Sequence, residues 1–296
     1  MLSPATLCLA SSLALRALIG AQQPHGETGA SAAEDAVTLI RRVIEAQDKH
    51  QRAQRAFAFR ERTVTRKLES DGTVSATESE SFLVTPSPDG EYRRLIATNG
   101  EPLSAADETK QRRKLEKHIE EQLRLSAEQR ELKTEEKLAK RVERYRSRLE
   151  EALEVYRFEP LPDDTIDGQP VRVFRFTPKA GYEGRSRSTK ILARMEGTIW
   201  IDSRRDQLAK LSLGFTKDLA FLGGVFGRVS AGTRAVIVGT LQESLWMLDD
   251  VDIDLNARLY FLKRYRQHIS VDYGDYRRFE VDTLEVIAPP ATSPQR

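Results

Sequence analysis

The sequence predicts an α+β fold: one helix, then a long antiparallel meander of strands, with an extended helical stretch set into it. Three observations predict this. An apolar stripe at helical spacing lies near residue 40, most segments after Phe57 alternate apolar and polar residues, and the residues from Ser104 to Tyr156 contain neither glycine nor proline. No helix-length segment separates the later strands, which excludes parallel crossovers and leaves antiparallel pairing.

At the N-terminus, "PATLCLASSLAL" (residues 4–15) is an apolar run too short to span a bilayer, and small residues end at Ala21. This reads as a secretory leader, residues 1–21, cut after Ala21 and followed by a polar spacer, residues 22–30. The front lacks the usual basic residue and Arg16 interrupts the run, so an amphipathic N-terminal segment or a misassigned start stays open. Cys8, the single cysteine, lies inside the leader, and the mature chain is expected to hold no disulfide and no cysteine metal site.

The first helix is expected to begin at the capping-box pair Ser31 and Glu34, with Ala36, Val37, Leu39, Ile40, Val43 and Ile44 on one face. Three strands follow: "FAFRERTVTRKL", a tight turn at Asp71-Gly72, "VSATESESFLVT", a break at "PSPDG", and "EYRRLIAT". Ser104 with Asp107, and Ser126 with Gln129, cap two helices that meet near residue 126. In the second of these, Leu138, Tyr145 and Ala152 repeat at seven, as do Val142, Leu149 and Tyr156. This narrow seam predicts a helical hairpin, residues 104–156, resting on the sheet, with a partner-binding coiled coil as the alternative. Strands resume with "VRVFRFTP", "GTIWID", "QLAKLSLGF", "TRAVIVGTL", "VDIDLNARLYFL" and "RQHISVDYGDYRRFEVD". From Val251 to Phe261 the odd positions are apolar while Asp252, Asp254, Asn256 and Arg258 fall between them, the pattern of one dry face and one wet face. The domain is expected to span residues 31–288, with a disordered tail at 289–296.

Lys and Arg number 47 against 45 Asp and Glu, a formal net charge of +2, so charge gives no mandate for a polyanionic partner. The glycine-rich "FLGGVFGRVSAG" (residues 221–232) fails as a P-loop because Arg228 and Val229 stand where lysine and a hydroxyl are needed. It lacks the dinucleotide spacing, and Arg228 occupies the first glycine position of a nucleophile elbow around Ser230. It reads as a connection, either a packed loop or a hydrophobic lip over a cavity. The four histidines, His25, His50, His118 and His268, nowhere stand four apart, so no metal site is expected. "DDVDID" reads as a solvated strand face rather than a calcium loop. "FLKRYRQH" and "DYRRF" combine basic and aromatic residues, but in an exported protein nucleic acid is not an expected partner. "GRSRSTK" (residues 184–190) reads as a basic surface loop that could meet anionic headgroups.

The segment "IDGQPVRVFRFTPK" followed by "GTIWIDSRRDQLAKL" resembles bacterial periplasmic outer-membrane lipoprotein-sorting proteins of the LolA, LolB and RseB-like superfamily. The likeness is clearest over residues 166–215. It implies a strongly curved antiparallel sheet, an unclosed barrel, with helices covering its concave side over an apolar cavity. The implied activity is non-covalent carriage of acyl chains without cofactor or catalysis. The helical region from Ser104 to Tyr156 is longer and more charged than that superfamily's lid, and no ligand motif carries over residue by residue.

On this reading the candidate apolar cavity residues are Phe174, Phe176, Trp200, Leu211, Leu213, Phe221, Phe226, Val236, Trp246, Leu259 and Phe261, with Val238 and Leu255 beside them. All would serve equally in an ordinary core. The expected partners are a lipid or lipoprotein acyl chain and, alternatively, an envelope protein docking on the charged helical hairpin, with peripheral membrane contact. The expected location is the periplasm.

Overall fold

The computed structural model describes residues 29–88, 90–221, 227–259 and 263–279. In chain order the elements are α1 (Gly29–Gln54), β1 (Phe57–Leu68), β2 (Val74–Ser87), β3 (Gly90–Thr98), β4 (Glu101–Pro102), α2 (Ala105–Leu123) and α3 (Ala127–Val155). Next come β5 (Tyr156–Ile166), β6 (Gln169–Pro178), α4 (Arg187–Leu192), β7 (Met195–Asp202), β8 (Gln207–Phe215), β9 (Leu219–Phe221) and β10 (Gly227–Val229). The chain continues with β11 (Arg234–Gln242), β12 (Leu245–Leu259) and β13 (Lys263–Arg278).

The strands form one antiparallel sheet in the order β4-β3-β2-β1-β13-β12-β11-β8-β7-β6-β5, with the β9–β10 hairpin beside β12. Two different strands end the path, so the sheet is not closed. β1 pairs with β13 from Phe57↔Arg278 to Leu68↔Arg266, which joins the first strand to the last. The turn before β2 has the expected chemistry: Asp71 Oδ1 accepts from Thr73 N at 2.9 Å, and Gly72 takes φ +92°.

α1, α3 and α4 lie on one face of this sheet. From α1 come Ala36, Leu39, Ile40, Val43 and Ile44, from α3 Leu149, Ala152 and Val155, and from α4 Leu192, all buried in one cluster with the strands. The strand side of that cluster includes Phe158, Phe174, Phe176, Ile199, Leu211, Ile237, Val251 and Ile253. Fully burying an aliphatic side chain contributes about 2 kcal/mol, so the four large aliphatics of α1 contribute roughly 8 kcal/mol between them. That is comparable with the whole net stability of a typical domain, about 5–15 kcal/mol.

Both helix caps after β4 are present. Ser104 Oγ accepts from Asp107 N at 3.1 Å, and Ser126 with Gln129 completes a reciprocal capping box. The seam of α3 is buried at Leu138, Val142, Leu149 and Ala152. Both helices lie against β3, and α3 lies also against α1, α4 and β5. The Tyr92 ring stacks on His118 of α2 with centroids 4.5 Å apart. The end of α3 is part of the core, with Ala152 and Val155 2% and 0% exposed. α1 is already helical at Gly29, ahead of the expected cap at Ser31. The basic stretch 184–190 contains a short helix rather than only a loop, since Ser186 and Thr189 form a capping box at its start.

The "WID" turn is fixed by a buried carboxylate. Asp202 is 0% exposed and accepts from the Trp246 indole at 3.0 Å, from Arg205 Nη1 at 2.7 Å and from Arg204 N at 3.0 Å. Gln207 Oε1 accepts from Trp246 N at 3.2 Å, so the β7–β8 turn holds the start of β12 by two bonds. Burial alone would raise the Asp202 carboxyl, but its donors, Trp246 and Arg205 foremost, outweigh that and hold it below the usual carboxylate range. A lowered carboxyl contributes stability above its unfolded-state value, and that contribution is lost as pH falls through the folded value. Asp202→Ala orphans the buried indole and an arginine and is expected to cost about 2–4 kcal/mol in urea unfolding at pH 7. The cost should shrink below about pH 4, near the ordinary carboxyl value.

Candidate ligand-binding face

Among the described residues the helix-covered face of the sheet carries the largest buried apolar cluster. At its centre the Tyr156, Phe158 and Phe176 rings meet, with centroid separations of 4.4 Å for Tyr156–Phe176 and 6.1 Å for Phe158–Phe176. The Tyr156 hydroxyl is buried and donates to Leu192 O at 2.8 Å, and burial pushes that phenol well above its ordinary pKa. Between these rings and Ile40, Leu149, Ala152 and Ile199 the space left is about 10 Å³, room for one water at most. At that point the face is filled by side chains from the helices and strands rather than held open.

The sequence-derived candidates divide between two surfaces. Phe174, Phe176, Leu211 and Leu213 lie in the helix-covered core at 0%, 1%, 5% and 4% exposure. Trp200 falls between Ile199 and Ile201, so the period-two alternation turns it to the opposite face, where it joins Val171, Ala209 and Trp246. Val236 falls between Ala235 and Ile237 and stands across from Asp252 on that opposite face. Trp246 belongs to the small cluster with Val171 and Ala209, pinned by Asp202. Phe221 lies in β9 and Leu259 in β12, but their side chains, together with Phe226 and Phe261, lie outside the described residues. The glycine-rich connection is flanked by a hairpin, with Gly227↔Phe221 and Val229↔Leu219 paired, and Asp218 Oδ1 accepts from Ala231 N at 2.9 Å behind it.

The site residues absent from those candidates come from the cover: Leu39, Ile40 and Val43 of α1, Leu149 and Ala152 of α3, and Tyr156. Their stripes were legible at helical spacing. What the stripes could not give is the strand each would face.

The opposite face of β12 and β13 is polar. Asp250 stands across from Asp272, Asp252 from Ser270, and Asp254 from His268. His268 Nδ1 is 3.0 Å from Asp254 Oδ1, and its Nε2 is 3.1 Å from Ser270 Oγ. That order of groups matches a serine triad, yet two features deny it the chemistry. Ser270 donates to Asp252 Oδ1 at 3.1 Å, and these residues sit in mid-strand, where the ladder to β1 and β12 consumes the amides an oxyanion would need. Among the described residues no group of three or more His, Cys, Asp or Glu is arranged to hold a metal.

Burial, with Asp252, Asp272 and Asp249 nearby, pushes the Asp250 carboxyl up to about 6. His268 and Arg234 hold Asp254 below the usual range. A raised carboxyl has the reverse sign of a lowered one: the fold favours its protonated form, and stability is lost as pH rises through the folded value.

No family model matches the chain, and no curated protein does. Among solved structures it is similar to a LolA superfamily protein from Nitrosomonas europaea, at 11% identity over 81% of this chain and 93% of that one, TM-score 0.30. It is also similar to an outer membrane lipoprotein-sorting protein domain from Vibrio parahaemolyticus, at 12% identity over 82% and 93%, TM-score 0.24. A third is the MucA/MucB complex of Pseudomonas aeruginosa, at 12% identity over 82% and 94%, TM-score 0.24. The first two bear the name of the superfamily that residues 166–215 resemble. TM-scores this low give them no part in the functional reading. No described helix is long and apolar enough to cross a membrane.

Asp250→Asn removes the carboxylate that the fold resists ionising. Allowing for partial solvent screening, it is expected to stabilise the protein by about 1 kcal/mol at pH 8 and by little at pH 4, read from the thermal midpoint at both values.

Proposed function

We propose that the protein is a non-catalytic binding protein for the acyl chains of lipids or lipoproteins, acting in the periplasm after export. Its cover, α1 with the end of α3, is the element that an acyl chain displaces in part. One observation carries the reading: the apolar face of an unclosed sheet is shielded by helices rather than by a second sheet or by its own closure. Helices attached through loops can shift while the strand ladder stays intact. The magnitudes are matched, since a sixteen-carbon chain offers roughly 12 kcal/mol at about 0.8 kcal/mol per buried methylene, against roughly 8 kcal/mol for the aliphatics of α1. Protein isolated from its native envelope is expected to carry an acyl-containing species in native mass spectrometry. The emptied protein should take up a fluorescent fatty acid that palmitate displaces. A ligand-free mass together with no uptake rejects the reading.

A second reading rests on α2. Only Leu115 and Gln122 of this helix are buried, and Leu123 and Leu132, on either side of its turn into α3, are 58% and 63% exposed. Such a surface suits an envelope protein partner docking beside, and independently of, the acyl-binding face. Replacing residues 105–123 by a flexible linker keeps the core segment of α3. Loss of an envelope crosslink with fatty-acid uptake unchanged supports docking, while retention of the crosslink rejects it.

A further inference from the structure

Charge on the helix-free face of the sheet is sorted along the long strands β12 and β13. In one half Asp250, Asp252 and Asp272 outnumber Arg62, which stands across from Asp272 at 3.7 Å. Toward the other end, Arg228 of β10 stands directly opposite Arg258 of β12, and both are exposed. Arg266 stands in the following row beside Leu68, and Arg66 in the row after that, across from His268. Eight residues separate the arginine row from the Asp250–Asp272 row, about 27 Å of strand.

Like charges directly across a ladder repel and destabilise the pairing unless something of opposite sign meets them. The protein supplies little. Arg228 pairs with Asp218 at 3.2 Å, Arg266 donates to Ser70 O at 2.7 Å, and Arg66 donates to Ser270 Oγ at 3.4 Å. Arg258 is exposed and has no ion pair among the described residues. Among the described residues Asp218 is thus the one carboxylate paired there, and it is already held by Arg228 and by Ala231 N.

We propose that this end of the β10–β12–β13 face is a docking surface for an anionic bilayer, independent of whether the helix-covered face takes an acyl chain. Three features favour a bilayer over a soluble anion. The arginines are spread over neighbouring strands, about 4.8 Å apart from one strand to the next, and so lie flat against many headgroups instead of converging on one anion. Arg228 and Arg258 are exposed, with the half-buried Arg266 and Arg66 beside them, and such clustered basic side chains are attracted to anionic surfaces. The acidic half of the same face is repelled by such a surface, so the sorted charge stands the sheet on its arginine end.

The test uses the full chain in flotation with vesicles, so that any contribution of the N-terminal leader is common to every variant. With vesicles of phosphatidylglycerol and phosphatidylcholine in equal parts, binding is expected, and it should be lost at about 1 M salt, where the Debye length is about 3 Å. Vesicles of phosphatidylcholine alone should retain little. Arg258→Gln should weaken binding about five-fold, and Arg258→Gln with Arg228→Gln roughly twenty-five-fold. Arg258→Gln is the safer variant, since no ion pair is lost. Arg112→Gln with Arg113→Gln, on exposed α2, should leave binding unchanged. Equal binding to both vesicle types overturns the proposal, as does indifference to the Arg258 variants at an unchanged thermal midpoint. So do full competition by millimolar inorganic phosphate, which marks a soluble-anion site, and loss of binding in the α2 variant alone.

Discussion

An open antiparallel sheet with one greasy face must have that face covered, and in this protein the cover is helical. Every other feature follows from that requirement. α1 runs over β5, β8 and β12, and buries Ala36, Leu39, Ile40, Val43 and Ile44 against the sheet. Its polar side is then tied at several points: Arg42 to Asp206 at 2.8 Å, Gln54 to Trp246 O at 2.8 Å, and, just past its end, Arg55 to Ser87 O at 2.7 Å. The first two anchors meet turn or hairpin segments, and all three leave the mid-strand ladder free. The cover is thus held at its margins by exchangeable polar contacts and at its middle by apolar contact that another apolar group could replace.

The two faces of the sheet answer different physical demands. On the covered side polar groups are few: the Tyr156 hydroxyl donates to Leu192 O, while His50 Nδ1 of α1 is buried without a partner. On the open side, charges are arranged in cross-strand rows, and several neutralise one another, as Arg234 does Asp254 at 2.8 Å. Exposed pairs of this kind are each worth only about 0–1 kcal/mol, so their arrangement bears on what the face meets more than on how stably the sheet folds. Asp202 is the exception. It is a fully buried carboxylate whose donors come from two hairpins, and breaking it leaves buried donors without acceptors.

Much of this was legible in the sequence because it depends on local rules. The Asp71-Gly72 turn, the caps at Ser104 and Ser126, the seam from Leu138 to Ala152 and the alternation from Val251 to Ile253 each follow from spacing within one element. What escaped depends on distant parts of the chain. The pattern in α2 and α3 suggested a hairpin resting on the sheet, but not that the end of α3 would pack against α1, whose buried residues lie about a hundred positions earlier. Trp200 and Trp246 stood among the expected cavity linings. Trp200 lies on the other face by parity, and Trp246 is drawn aside by an acceptor, Asp202, forty-four residues earlier. The roles of Ile40 and Leu149 at the candidate face were hidden for the same reason: a stripe announces burial but not its partner.

The pairing of β1 with β13 carries one more consequence. The hairpins of β1 to β3 can form early from neighbouring residues, but the inner edge of β1 has no mate until a segment some two hundred positions later has arrived. Contacts of such sequence separation make folding slow, and an unmated edge in the interval is a template for association between chains. The charged side chains along that edge, Arg60, Arg62 and Arg66 on one side and Glu61 on the other, are a means by which an unfinished molecule keeps its siblings at a distance.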